Sequence, residues 1–248
     1  MRTRIFLAGA TGAIGKRLIP LLLRDGAVVF GTTRSTARAE ELRSTRIQPI
    51  IVDVFDAPAL SWAIVEVKPD VVVHQLTDLA LIHDPNRLEE ALTRNARLRT
   101  EGTQNLVAAA VKAGVRRLIA QSIAWIYAAG PEPHAEEDPL NVSATGMAAI
   151  TVRGVVALEQ AVLHTPKIEG IVLRYGWLYG PGTGTTVAAG APPVHVDAAA
   201  LAAALGIDRG APGIYNIADP SPLVSVAKAR RELGWNPDFR VPESTTSP

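Results

Sequence analysis

The sequence predicts a doubly wound parallel α/β fold with helices on both faces of the sheet, and three observations carry that prediction. Short runs rich in Val, Ile and Leu alternate with amphipathic stretches through residues 1–175. The strand runs are almost continuously apolar, as strands covered on both faces must be. The first run, R-I-F-L-A from Arg4, passes directly into glycines at positions 9, 12 and 15 and then into a helical pattern.

In chain order the strand candidates are Arg4–Ala8, Val28–Thr32, Ile47–Val52, Val71–Gln75, Arg117–Ser122 and Gly170–Tyr175. Between them the helical candidates are Gly12–Arg24, Thr36–Arg43, Ala57–Val67, Pro85–Ala113 and Thr151–Leu163. The first helix places Leu18, Ile19, Leu22 and Leu23 on its buried face. The fourth is unusually long, and Gly114 stands where its C-terminal cap belongs. Its Ala108, Ala109 and Ala110 suit close packing against the sheet or a second subunit. After Tyr175 the chain turns irregular, through Gly180-Pro181-Gly182 and Ala191-Pro192-Pro193. The expected organisation is a first domain over 1–175 and a small lobe over 176–248, with about 196–218 returning to the first domain. The tail Val241–Pro248 reads as a frayed end.

Composition narrows the classes of function. Of 248 residues, 48% are hydrophobic and 20% charged, enough for a sizeable core and ordinary for a soluble enzyme. A formal net charge of +1 supplies no electrostatic reason for a nucleic-acid or membrane partner. There is no cysteine, which excludes disulfides and thiolate chemistry and fits a cytoplasmic setting. The apolar N-terminal run is short, broken by glycines and followed by Lys16 and Arg17, unlike a signal peptide. No stretch approaches the roughly 20 apolar residues of a membrane span. No metal-ligand spacing stands out among the five histidines.

A glycine-rich turn between a strand and a helix leaves free backbone N–H groups at a helix start, a ready site for a pyrophosphate. Gly9, Thr11, Gly12, Ala13, Ile14 and Gly15 therefore form a candidate phosphate loop of a dinucleotide site. The second strand ends G-T-T-R, so Arg34 stands where an acidic residue would hold the ribose 2′-hydroxyl of NAD. An arginine there meets a 2′-phosphate, with Ser35 and Arg38 beside it, so NADP(H) is expected over NAD(H). Gln75, Leu76 and Thr77 end the fourth strand at the edge where doubly wound sheets bind ligands.

Further motifs follow in a fixed order: Asp53 and Val54 after the third strand, G-T-Q-N at 102–105, and Ser122 and Tyr127 after the fifth. Then come L-R-Y-G-W-L-Y-G-P-G at 173–182, V-H-V-D at 194–197, G-I-Y-N-I-A-D at 213–219 and K-A-R-R-E-L-G-W-N-P at 228–237. Together they resemble the extended short-chain dehydrogenase/reductase family, the NAD(P)-dependent epimerase/dehydratase group, over nearly the whole chain. The resemblance implies a Rossmann-type sheet with a substrate lobe and an adenine contact at Asp53 and Val54. It also implies a cofactor contact at Tyr175, and a homodimer through helices 85–113 and 151–163. Val152, Val155, Val156 and Val162 would give the second of these helices extra apolar surface.

Two departures bear on function. The family's usual chemistry uses a Tyr-x-x-x-Lys pair and a hydroxyl residue ending the fifth strand. Matching the motifs puts Thr151 at the tyrosine position, Val155 at the lysine position and Ile123 at the hydroxyl position. A threonine hydroxyl does not titrate near neutrality and valine carries no charge. The remaining candidates for proton transfer are Tyr127, Ser122 and Thr151, with Arg153 and Tyr175 nearby. Arg174 is expected to order its loop, His74 to be a packed histidine, and Glu136, Glu137 and Asp138 to be solvated. Trp125 and Trp177 suggest an apolar substrate face. The second departure is length: Thr183–Pro193 and Pro220–Ala227 are short, implying a reduced C-terminal substrate lobe.

Three readings follow. One is an NAD(P)-dependent oxidoreductase or epimerase/dehydratase acting on a small carbonyl, alcohol or sugar-like substrate, in which positioning does most of the work. A second is a non-redox dinucleotide sensor or regulator. A third is a cyclase or isomerase using the fold as a scaffold.

Overall fold

The computed structural model describes residues 2–242; most of the tail expected to fray, 243–248, lies outside the described residues. Its strands are β1 (Arg4–Ala8), β2 (Val28–Thr33), β3 (Gln48–Ile51), β4 (Val71–His74), β5 (Arg117–Ile123), β6 (Glu169–Tyr175), β7 (Trp177–Tyr179), β8 (Pro193–His195) and β9 (Gly213–Ile217). Seven of them form one parallel sheet in the order β3-β2-β1-β4-β5-β6-β9, and β7 and β8 pair apart from it. The strand order reverses between β1 and β4, the switch point at which doubly wound sheets open a ligand crevice.

The helices are α1 (Ala13–Arg24), α2 (Thr36–Ser44), α3 (Ala57–Val67), α4 (Leu88–Arg97), α5 (Thr103–Ala113), α6 (Gly146–Leu163) and α7 (Val196–Leu205). Alternate strand residues face opposite layers, because side chains alternate across a strand. Ile5, Leu7, Val71, Val73, Ile119, Ile171 and Leu173 pack with Leu18 and Leu22 of α1 and the alanines of α7. Phe6, Val72, Leu118 and Val172 pack with Leu60 and Ile64 of α3, Leu106 of α5 and Leu158 of α6. Ser35 and Asp56 cap α2 and α3 by accepting from the N–H groups of Arg38 and Ala59. The segment after β8 rejoins the main body: α7 lies on α1, and β9 extends the sheet beside β6.

Three expectations change. Residues 85–113 do not form one helix. A 3₁₀ turn at Pro85–Arg87 leads into α4, and a π-helical turn at Leu98–Gly102 separates α4 from α5. The π turn widens the ladder locally, a feature frequent at functional sites. Helix α6 begins at Gly146, five residues before the expected start, so Thr151 stands in its second turn. Val152, Val155 and Val162 are buried within their own subunit and add no outer surface for a partner. Although α6 is long and apolar enough to cross a membrane by composition, it packs against α4, β5 and β6 and carries the buried Glu159. Those contacts make it a core helix.

Leu118, fully buried at the second position of β5, packs with helical side chains on one face of the sheet. Leu118→Ala is expected to cost about 2–5 kcal/mol of unfolding free energy, the range for a truncated core aliphatic that leaves a cavity. Urea denaturation followed by circular dichroism checks it.

Candidate active site

The phosphate loop is shaped by close backbone approach. Gly9 has φ +94°, and a Cβ there would lie 2.7 Å from the backbone of Gln75, at the end of the neighbouring strand. A Cβ at Gly15 would meet the carbonyl oxygen of Gly9 at 2.2 Å, so only glycine lets α1 begin this close to β1. At Gly12 the space is open except for Gly9 O at 3.4 Å. The Gly12 N–H donates to Gly9 O at 3.1 Å and closes the turn.

A cavity of about 330 Å³ opens over this loop at the carboxyl edge of the sheet. Gly9, Thr11 and Gly12 line it, as do Arg34, Ser35, Arg38, Asp53, Val54, Gln75, Leu76 and Thr77. Sequence reasoning missed Thr32, Thr33, Phe55, Asp78, Leu98 and Leu106, which also line it. The threonines had a signal, since they end β2 beside Arg34. Leu98 and Leu106 reach the cavity from the π turn and α5, which no local pattern announces. Ala13 opens α1 at the loop, while Ile14 and Gly15 are buried beneath it. Arg34 and Asp53 face each other across the cavity at 3.9 Å, both well exposed. Asn105 donates to Val54 O at 2.9 Å and fixes the β3 loop to α5.

The chemistry of the lining fits a dinucleotide. Both side-chain polar atoms of Gln75 and the hydroxyl of Tyr175 are buried without a hydrogen-bond partner among the described residues. Tyr175 is buried under the cleft, its hydroxyl pushed above the ordinary phenol range by burial. Gln75 lines the cleft, and its buried side-chain amide lies beside the Tyr175 hydroxyl.

The positions expected to move protons are occupied otherwise. Ile123, Ile126, Val152 and Val155 form one buried aliphatic cluster, with Trp125, Leu140 and Val156 against it. Where the resemblance would set a hydroxyl and a lysine, the structure has an apolar plug. Thr151 is half-buried on the adjoining turn of α6. Ser122 is 1% exposed and donates to Glu159 Oε1 at 2.7 Å, on the α6 side of the sheet. Tyr127 donates to Asn216 Oδ1 at 2.6 Å and accepts from Arg174 at 2.8 Å. Burial pushes its phenol above the ordinary value, with Arg174 opposing, so it is a weaker acid than free tyrosine.

These groups belong to a buried network around Arg174, which grips Glu159 at 2.9 and 2.7 Å and also donates to Glu136 O at 3.2 Å. Arg174 thus orders the region as expected. Glu136 differs from the expectation of a solvated loop residue: it is buried and accepts from the Asn216 N–H at 2.9 Å. Burial raises its carboxyl above the usual range. Asp138 is held low by the N–H of Ala135 and by His134. Arg153 is exposed on α6, away from these groups. Trp125 and Trp177, which follow the carboxyl ends of β5 and β6, stack with centroids 4.2 Å apart.

A parallel sheet with a glycine cradle, a polar cleft and an opposed ribose-end pair defines a dinucleotide-binding α/β enzyme. The sequence profile of the NAD dependent epimerase/dehydratase family matches residues 5–218, and the chain belongs to that family. It is 42% identical to a 3-diazoavenalumate denitrifying reductase from Streptomyces sp over 96% of this chain and 84% of that protein. It is 30% identical to a dTDP-4-dehydrorhamnose reductase from Streptomyces griseus, over 73% of this chain and about half (52%) of that protein. Among solved structures it superposes on Gre2 from Candida albicans in its NADPH complex with a TM-score of 0.78 and 16% identity, covering 96% of this chain and 95% of that one. The protein is accordingly an NAD(P)-dependent enzyme of the oxidoreductase or epimerase type.

His74 has the expected packed role. Its Nε2 pairs with Thr103 Oγ1 at 3.1 Å, and its Nδ1 accepts from the Leu76 N–H at 3.3 Å, so the ring is neutral with the proton on Nε2. Burial, with Arg99 nearby, lowers its pKa to about 4. The unfolded chain takes up this proton near pH 6.5 and the folded one only near 4. The contribution is therefore complete above pH 6.5 and is lost as pH falls through that window, by about 3 kcal/mol. His74→Asn is expected to flatten this part of the stability profile, read as the difference between variant and wild-type urea midpoints from pH 7 to 4.

Proposed function

We propose that the protein is an NADP-preferring reductase whose substrate accepts a hydride without an accompanying proton, as the ring carbon of an aryldiazonium cation does. The observation that carries this reading is the aliphatic cluster of Ile123, Val152 and Val155 where proton-transfer groups would stand. Reduction of a carbonyl, or epimerisation through one, needs an acid or base beside the reacting oxygen, worth roughly 10²–10⁴ in rate. Displacement of dinitrogen from an aryldiazonium cation needs neither. The hydride's electron pair forms the new C–H bond, the C–N pair leaves with dinitrogen, and no proton is consumed. The 42% identity to a denitrifying reductase supports the same substrate class.

Reduced NADP supplies the hydride when bound. The chain's own residues then have three tasks. Gly9, Thr11, Gly12 and Ala13 hold the pyrophosphate at the start of α1. Arg34, Ser35 and Arg38 receive the 2′-phosphate, while Asp53 and Val54 frame the adenine. Gln75, Leu76, Thr77 and buried Tyr175 form the wall under the nicotinamide end. The apolar plug and the paired tryptophans keep water from a reactive substrate. The Ser122–Glu159–Arg174–Tyr127 network positions this floor rather than donating protons. Two copies pairing through α4–α5 and α6 are part of the proposal, supported by exposed Met147 at the start of α6.

Two outcomes check it. With NADPH and an aryl diazonium carboxylate, loss of absorbance at 340 nm should match dinitrogen release one for one. Tyr127→Phe and Ser122→Ala should keep turnover within about threefold, although each unfolds more easily; a fall of a hundredfold or more would mark an acid catalyst and defeat the reading. Separately, Arg34→Glu should weaken NADPH by about tenfold or more in calorimetric titration, the value of a charge-assisted phosphate contact, with little effect on NADH.

A further inference from the structure

The sheet has two outer strands, β3 and β9, and each leaves one row of backbone groups with no neighbouring strand among the described residues. Such a row is a template for a strand of another chain. On β3 the sequence itself breaks the row. Val52 N–H donates to Thr33 O, so Gln48 and Ile50 face β2, and Pro49, which has no N–H, faces out. β9, reading G-I-Y-N-I, has no proline.

The outward row of β9 is occupied by side chains instead. Gly176 N–H donates to Ile217 O at 2.9 Å, which turns Gly213, Tyr215 and Ile217 toward β6 and leaves Ile214 and Asn216 facing out. Glu136 Oε1 accepts from the Asn216 N–H at 2.9 Å, and Lys228 Nζ donates to Ile214 O at 2.9 Å. Both side chains are held in place. The Glu136 carbonyl accepts from Arg174 at 3.2 Å, and nearby His134 is tied to Leu223 and Ser225 by backbone bonds of 2.9 and 2.8 Å. The Lys228 ammonium lies 4.6 Å from the centre of the Tyr215 ring. The strand is otherwise open to approach, because a cavity of about 390 Å³ opens onto Gly213 and Ile214 between Glu136, His164 and Lys228.

The choice of groups matches one competitor. If β9 paired antiparallel with its own copy about Tyr215, Ile214 of one chain would exchange both backbone bonds with Asn216 of the other. A two-fold axis would satisfy both such pairs at once. The Ile214 C=O and the Asn216 N–H, which that pairing needs, are the two groups that Lys228 and Glu136 hold. An incoming strand would have to displace a carboxylate and an ammonium and leave them without these partners at the interface. We propose that Glu136 and Lys228 guard the β9 edge against strand addition by a second copy of this chain, so that the sheet ends at seven strands. The guard stands apart from the reductase reading, since neither residue lines the cofactor cleft.

Sedimentation velocity across a wide range of protein concentration tests it, with folding checked by circular dichroism. The double variant Glu136→Ala/Lys228→Met should gain mass with concentration, by about twofold or more over wild type, as edges pair. Lys228→Met alone, which frees the Ile214 carbonyl and leaves the Glu136 contacts intact, should show the same gain in weaker form. Adding Ile214→Pro removes the outward N–H that edge pairing uses and should return the double variant to the wild-type mass. Leu118→Ala, destabilised in the core and unaltered at this edge, should keep the wild-type mass. A double variant and a Lys228→Met variant that both stay at the wild-type mass would overturn the proposal. So would a gain that Ile214→Pro does not reverse, or an equal gain in Leu118→Ala, since either marks association through unfolding.

Discussion

The structure depends on how closely the first turn of α1 is pressed against the end of β1. A methyl group at position 15 would fall 2.2 Å from the carbonyl of Gly9, and one at position 9 would strike the backbone of Gln75. These contacts bring the helix start, the β4 edge and the crevice between them to one point. The switch in strand order between β1 and β4 sets the crevice there, and the free N–H groups of the loop give it an affinity for phosphate. The other residues lining the cleft are measured from that point: Arg34 one strand outward, Gln75 one strand inward.

The opposite half of the site is governed by a buried ion pair. Arg174 and Glu159 join β6 to α6, with Ser122, Tyr127 and the backbone of Glu136 filling their remaining bonding capacity. Such a pair is strongly destabilising if one partner is removed, so it locks the geometry even where its net contribution is small. It engages the hydroxyls of Ser122 and Tyr127 in hydrogen bonds. Beside it, Ile123 and Val155 turn the region into an apolar wall.

The sequence by itself determined the sheet, the order of its elements and the nucleotide half of the site. Apolar strands have a recognisable run length, and the glycines of the phosphate loop lie within seven residues of one another, so local pattern suffices. Arg34, Asp53 and Gln75 were legible because each ends a strand, and strand ends converge on one edge. Only the tertiary structure decided the other half. The break in 85–113, the early start of α6 and the inward turn of Val152, Val155 and Val162 come from packing between helices, which a single period cannot express. Ser122 looked available until its neighbour across 37 residues, Glu159, was in place. Glu136 looked solvated for the same reason, since its partner Asn216 lies 80 residues away.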